Sequence, residues 1–331
     1  MKKKLGLNIA VMAASALFSW AACAAELTVY SGRGEAFVAP VLKGFEESTG
    51  ITLKVRYGGT AELSALLQEE KGKTPADVFW AQDSGALGAN TALFAQLPQA
   101  IYANQPEVLR NAEGKWVGVS ARARTVAYSP ERAPKESLPP TVQGLTDAKW
   151  QGKVGWAPGN AAFQAFVTAF RVIHGEDAAR SWVQDMAKNG TKSYRNNSAL
   201  VQAVADGEID VALVNNYYLP RFKTQDAKFP VEQAFFQPGD IGNVINTSGV
   251  AILQASDAKD DALKLVQYLL SPAVQQYLTS VGHEYPVVSG VIGNQNLESV
   301  RNVTEASPVV PTDKLTDLEG TRAILRAAGL I

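Results

Sequence analysis

The chain predicts an α/β fold in two lobes, with mostly parallel central sheets, a hinge and a cleft between the lobes. Three observations carry this expectation. Apolar alternation of period two gives way repeatedly to helical periodicity. The loop after each apolar strand holds glycine and small polar residues. Two such α/β stretches are joined by extended crossings. Strands alternating with helices favour an open parallel sheet. Ligands of such sheets gather at the carboxyl ends of the strands and between domains.

The elements follow in order. Residues 26–30 alternate as a strand, and Ser31-Gly32-Arg33-Gly34-Glu35 is a glycine-rich turn. A helix over 36–48 places Phe37, Val41, Leu42 and Phe45 on one face, and Gly50 stops it. Residues 51–57 form the second strand, and Thr60 is placed to cap the helix carrying Leu63, Leu66 and Leu67. Pro75 precedes a third strand, 77–81, which runs into the loop Gln82-Asp83-Ser84-Gly85. The second unit starts near Tyr128. It holds a strand at 153–156, the turn Ala157-Pro158-Gly159-Asn160, and helices at 161–174 and 176–187. Asn197 and Ser198 are placed to cap a short helix that Gly207 ends, and a strand at 209–214 follows. An extended piece at 249–253 and an amphipathic helix at 260–270 complete the pattern.

The N-terminus reads as a cleaved export signal, residues 1–25. Lys2, Lys3 and Lys4 precede an uncharged apolar run from Leu5 to Trp20, and Ala22-Cys23-Ala24 fits a small-residue cleavage site. Cys23 is the single cysteine, so a chain cleaved after it has no disulfide. The lesser alternative is a lipoprotein anchored through Cys23. Export without disulfides places the protein in a Gram-negative periplasm. A formal net charge of −1 argues against a nucleic-acid partner. With two histidines, His174 and His283, a histidine-rich metal site or a Ser-His-Asp triad has few ways to form. No Gly-x-Ser-x-Gly or His-Glu-x-x-His motif is present, so the chain reads as a non-enzyme. His174 sits where it complements a helix C-terminus, and His283 reads as a surface residue.

The most informative residues are Tyr217 and Tyr218, which follow Asn215 and Asn216 at the end of the apolar run Val211-Ala212-Leu213-Val214. Two phenols and two amides there offer hard oxygen donors to one point, and hard donors suit a hard cation such as ferric iron. Adjacent residues on a regular strand point to opposite faces, so both phenols reach one ion only if the strand ends or twists at Tyr217.

Several stretches together resemble the periplasmic ferric-ion-binding proteins of bacterial iron ABC importers, also called bacterial transferrins. They are Leu27-Thr28-Val29-Tyr30-Ser31-Gly32, Phe45-Glu46-Glu47-Ser48-Thr49-Gly50-Ile51, Thr74-Pro75-Ala76-Asp77-Val78-Phe79, Ser120-Ala121-Arg122-Ala123-Arg124, Gly207-Glu208-Ile209-Asp210 and Asn215-Asn216-Tyr217-Tyr218. The resemblance implies a two-lobe type II periplasmic-binding-protein fold, with an N-terminal lobe of 26–126 and 248–299 and a C-terminal lobe of 127–247 and 300–331. It implies Fe³⁺ as the transported ligand, a synergistic anion (carbonate or phosphate), an inner-membrane ABC permease as partner, and a monomer. It makes Tyr217 and Tyr218 metal ligands and assigns the anion to Asn160, Ala161, Ala162, Asn197 and Asn215. Gly34 and Gln82 stand where family members carry a histidine and a glutamate, and Ala162 stands where other branches carry a tyrosine. Glu35, Glu62 and Asp83 are then further metal candidates, and Arg33, Arg122 and Arg124 further anion candidates. Helix-start charges are the competing reading for the acids, and pairing with surface acids for Arg122 and Arg124. The competing function is a binding protein of the same fold for an oxyanion, a phosphonate or another small organic ligand, with the tyrosines not ligating metal.

Overall fold

The structure, a computed structural model, describes residues 26–103, 105–311 and 314–331. The expected export signal and Cys23 lie outside them. In chain order the elements are β1 (Glu26–Ser31), α1 (Glu35–Thr49), β2 (Thr52–Tyr57), α2 (Thr60–Glu70), β3 (Val78–Ala81), α3 (Ser84–Ala89) and β4 (Val117–Tyr128). Then come β5 (Val154–Trp156), α4 (Ala161–His174), α5 (Glu176–Lys188), β6 (Lys192–Ser193), α6 (Asn197–Ala205), β7 (Val211–Asn215), α7 (Tyr218–Gln225) and β8 (Glu232–Ala234). β9 (Ile245–Ile252), α8 (Lys259–Leu269), α9 (Pro272–Gly282), α10 (Val300–Ala306) and α11 (Leu318–Ala327) complete the chain.

The strands lie in the order β2-β1-β3-β9-β4-β7-β5-β6, with β8 also on β4. Pairing is parallel among β1, β2 and β3 and among β5, β6 and β7. It is antiparallel along β4 and β9, so the whole sheet is mixed. β4 serves both lobes. Its first half, through Ala123, pairs with β9, and from Arg124 onward it pairs with β7. The partner switch falls at 123–124, and β9 spans Ile245–Ile252, where the expected extended piece is 249–253.

The alternation of β4 decides what faces the cleft. Ser120, Arg122 and Arg124 are two residues apart and share one face, while Ala121 and Ala123 take the other. The alanines pack with Leu109, Ile245, Tyr285 and Val287 in a small core beneath the crossing. Each lobe is covered on both faces by helices. In the first lobe, α1, α8 and α9 bury Phe45, Leu265 and Leu278 on one side of the sheet, and α2 buries Leu63 and Leu67 on the other. In the second, α4, α5 and α11 meet around Phe166, Phe170, Trp182 and Leu325, while α6 buries Leu200 and Val204 opposite. Trp80 and Trp156 are wholly buried, in line with a core role. Among the described residues no helix is long and apolar enough to cross a membrane.

Two expected caps are corrected. Thr60 is the first residue inside α2, after Gly59 at the cap position. Its Oγ1 accepts from the Gln82 N–H (3.1 Å) and donates to the Gly32 carbonyl (3.3 Å), which ties the loops after β1 and β3 together. A Cβ at Gly32 would collide with that hydroxyl, so only glycine fits this approach. The cap of α6 is Asn196, whose Oδ1 accepts from the Ala199 N–H at 2.9 Å, and Asn197 is instead buried inside the helix.

Asn216 ties the crossing together. Its Oδ1 accepts from the Ala123 N–H (2.8 Å), its own N–H donates to the Ala123 carbonyl (3.0 Å), and its Nδ2 donates to the His283 carbonyl (3.2 Å). The side chain is fully buried, so truncation strands two backbone groups in a dry site. Asn216→Ala is expected to cost about 1–3 kcal/mol in urea unfolding. A cost within about 0.5 kcal/mol, the range of a neutral surface substitution, would remove Asn216 from this role.

Candidate metal and anion site in the cleft

β7 ends at Asn215 and α7 starts at Tyr218, so the chain turns at the tyrosine pair. Tyr217 has helical dihedrals (φ −80°, ψ −4°) in place of the extended ones that would send its neighbour to the far face. Both rings therefore lie on one side. Their centroids are 4.4 Å apart and their hydroxyl oxygens 3.4 Å apart. Pro220 falls in the first turn of α7, where its missing N–H is tolerated. Arg221, four residues after Tyr217 and three after Tyr218, sits on the same helix face. Its guanidinium lies over both rings, at 5.0 and 5.3 Å from their centroids. Burial and then the neighbouring Tyr218 push the Tyr217 phenol up to about 12, against a smaller opposite pull from Arg122. A cation that binds here has to displace its proton.

Three more arginines face the cleft, and each is about 5% exposed. Arg33 donates to Glu284 at 2.8 Å, Arg122 donates to the Gln82 carbonyl, and Arg124 donates to Asn215 Oδ1 at 2.9 Å. Arg124 also lies over Phe163 and Phe166, at 5.9 and 5.6 Å. Burial lowers its guanidinium to about 10, although both tyrosines pull the other way. One nitrogen of each is buried without a partner: Arg33 Nη1, Arg122 Nε and Arg124 Nη2. Orphaned charged donors are costly, and hydrogen-bond acceptors on a ligand would offset that cost.

Arg122 stands between two cavities. One, of about 270 Å³, is lined by Arg33, Gln82, Arg122, Tyr217, Arg221 and Glu284. The other, of about 60 Å³, lies between Asp83 on the first lobe and α4 on the second, with Arg122, Arg124 and Asn215 in its wall. Gly85 and Leu315 approach each other at its rim.

The structure sorts the expected residues. Tyr217, Arg33, Arg122, Arg124 and Asn215 converge on the two cavities. Asn160 caps α4, and its Oδ1 takes the Ala162 N–H at 3.0 Å, so part of the expected helix-start donor set is satisfied internally. Ala161 is exposed, Ala162 lines the smaller cavity, and Asn197 lines neither. Glu35 and Glu62 are exposed at helix starts and line neither cavity. Asp83 caps α3 through the Ala86 N–H (2.9 Å) and also lines the smaller cavity. His283 is half-buried: it ends α9 in the left-handed conformation (φ 55°), and its Nδ1 meets Asn294 Nδ2 at 2.9 Å. Burial, then Arg221, lower its pKa.

Two site residues escape sequence reasoning. Arg221 is signalled by its three- and four-residue spacing from the tyrosines on a helix. Glu284 has no such signal. It lies far along the chain, where α9 returns to the cleft, and it accepts from Arg33 and Ser120. Among the described residues, no three His, Cys, Asp or Glu side chains gather at metal-binding spacing. A metal here relies on phenolates and on donors that arrive with it.

A model of the bacterial extracellular solute-binding protein family matches residues 41–302. The chain belongs to this family. This solute-binding protein is 32% identical over 335 positions to the major ferric iron-binding protein of Neisseria meningitidis serogroup A, with 99% of each chain covered. It is 30% identical over 304 positions to the Fe(3+)-binding periplasmic protein of Serratia marcescens, covering 89% of this chain and 90% of that one. Among solved structures, iron-bound HitA from Pseudomonas aeruginosa matches it with a TM-score of 0.77 at 30% identity, over 92% of this chain and 100% of that one. These relatives place the solute-binding protein in the ferric-ion-binding branch of its family, with the two-lobe fold expected from the sequence.

Proposed function

We propose that this solute-binding protein carries ferric iron in the periplasm and delivers it, as a monomer without catalytic activity, to an inner-membrane ABC permease. Tyr217 and Tyr218 ligate the metal as phenolates, and an exogenous anion on the cleft arginines completes the shell. One observation carries the reading: two phenols converge, their hydroxyl oxygens 3.4 Å apart, beside a cleft lined by Arg33, Arg122, Arg124 and Arg221. Phenolates suit a hard trivalent ion. Guanidiniums alone would repel it, so an anion has to accompany the metal. The names of the relatives support the same assignment.

The test is a titration of iron-stripped protein with ferric iron in bicarbonate or phosphate, for wild type and Tyr217→Phe/Tyr218→Phe. A phenolate-to-iron charge-transfer band is expected in wild type only. Each displaced phenol proton weakens apparent affinity about tenfold per unit fall in pH, because the binding form is the deprotonated one. A folded wild type with no band overturns the assignment. Anion binding that survives in both proteins would then favour the second reading, an oxyanion or small organic ligand held by the arginines, for which the three orphaned nitrogens speak.

A further inference from the structure

The two lobes are joined through β4 and β9, and they meet again at the rim of the smaller cavity, where Gly85 of α3 approaches Leu315. We propose that this contact is a latch, which closes as the cleft takes up its cargo and has to part before the cargo leaves; that the cargo is iron rests on the reading above. Each half of the contact is held by its own lobe. On the first, Asp83 caps α3, Leu87 is wholly buried, and Asn90 Nδ2 donates to Ser64 Oγ at 2.6 Å. On the second, Leu315 packs against the aromatic core. Two residues on, Asp317 accepts from Arg171 of α4 through its carbonyl (2.6 Å) and its carboxylate (2.5 Å).

Gly85 is the telling residue. Glycine is a poor helix former, and Gly85 is not among the positive-φ glycines, so the backbone of α3 does not call for one. The approach of the other lobe does. A Cβ at position 85 would lie 3.1 Å from the Leu315 carbonyl oxygen and 3.6 Å from the Leu315 Cβ. Its remaining near neighbour is Asp83 Oδ1 at 3.3 Å, a side-chain atom. The carbonyl is backbone, tied down by the Asp317–Arg171 pair, so a side chain at 85 pushes the lobes apart and leaves each lobe's core untouched. Two-lobe proteins close around ligands by hinge motion, and a contact made only on closure favours the closed state.

The test staples the latch. A Cβ–Cβ separation of 3.6 Å suits a disulfide, for which about 3.5–4.5 Å is usual. Gly85→Cys/Leu315→Cys is made together with Cys23→Ser, which leaves the chain no other thiol. The pair is expected to oxidise without iron, and the oxidised protein to have a smaller radius of gyration in solution scattering than the reduced one. Protein loaded with iron and then oxidised is expected to lose it to an external chelator at least about tenfold more slowly than the same sample after reduction. Gly85→Leu is expected to release iron at least about tenfold faster than wild type. Its iron-free urea midpoint is expected to be no lower than that of wild type, because a better helix former replaces glycine. A pair that stays reduced, or whose oxidation leaves the radius unchanged, overturns the latch, and so does oxidised protein that releases iron as fast as reduced protein. If Gly85→Leu does not fold, the stapled pair decides alone. If wild type shows no iron band, the ferric reading falls, and oxidation and scattering still judge the latch.

Discussion

Glu284→Gln is expected to destabilise the protein by about 3–5 kcal/mol at pH 7, the cost of leaving a buried charge without its partner. Glu284 is 6% exposed, and its carboxylate sits between Arg33 and Ser120. Burial by itself would raise its pKa. Arg33, Arg122 and the Ser120 hydroxyl outweigh that and hold it below the usual glutamate value. The sign of the pH dependence follows. A depressed carboxyl contributes its stabilisation in full above the unfolded value of about 4.3 and loses it as pH falls through the folded value. The gap between wild type and Glu284→Gln in urea unfolding is therefore largest at neutral pH and narrows in acid. A gap under about 1 kcal/mol at pH 7 would mean that Arg33 finds another partner, and one that persists unchanged in acid would mean that the lost stabilisation does not come from the carboxylate's charge. Glu284 also offsets Arg33, which interacts with Tyr217. Ultraviolet titration should find Tyr217 more acidic in the variant, since more positive charge then faces it.

Phe166→Ala is the second large effect, about 3–5 kcal/mol. Phe166 is 2% exposed and is a hub of the second-lobe core. Its ring meets Trp182 edge-on at 5.5 Å, Phe170 at 6.3 Å and Phe163 at 5.8 Å. Its other side supports Arg124. Truncation leaves a cavity in the aromatic core and removes one of the two rings over a buried cation. Phe166→Leu, which keeps most of the volume, is expected to recover more than half of the loss in thermal or urea unfolding. Equal losses for Ala and Leu would show that the cation contact, and not packing, sets the cost.

Much of the fold was legible in the sequence because it is local. Helix α4 runs over 161–174 as its apolar period and Asn160 cap predict. α1, α5 and β1 fall within a residue or so of their expected ends. The convergence of Tyr217 and Tyr218 was also anticipated, since two neighbouring phenols can share a point only where a strand stops. The misses have a common cause. Thr60 and Asn197 carry good capping side chains, but tertiary partners or a better neighbour take the role. β4 is absent from the expected strands, and its change of partner midway is something no periodicity records.

By itself, the sequence determined the alternation of strands and helices, the phenol pair, and the absence of a histidine or cysteine set for a softer metal. These depend on residue type and short-range spacing, which act before the chain closes on itself. The tertiary structure alone decided which charges face the pair. It brought Glu284 against Arg33 across 251 residues and placed Arg122 and Arg124 on one face of a shared strand. It left their nitrogens dry and unpaired beside an apolar helix flank. Those features arise from burial, which strengthens each charge interaction by removing water, and burial belongs to the packed chain and not to any one of its segments.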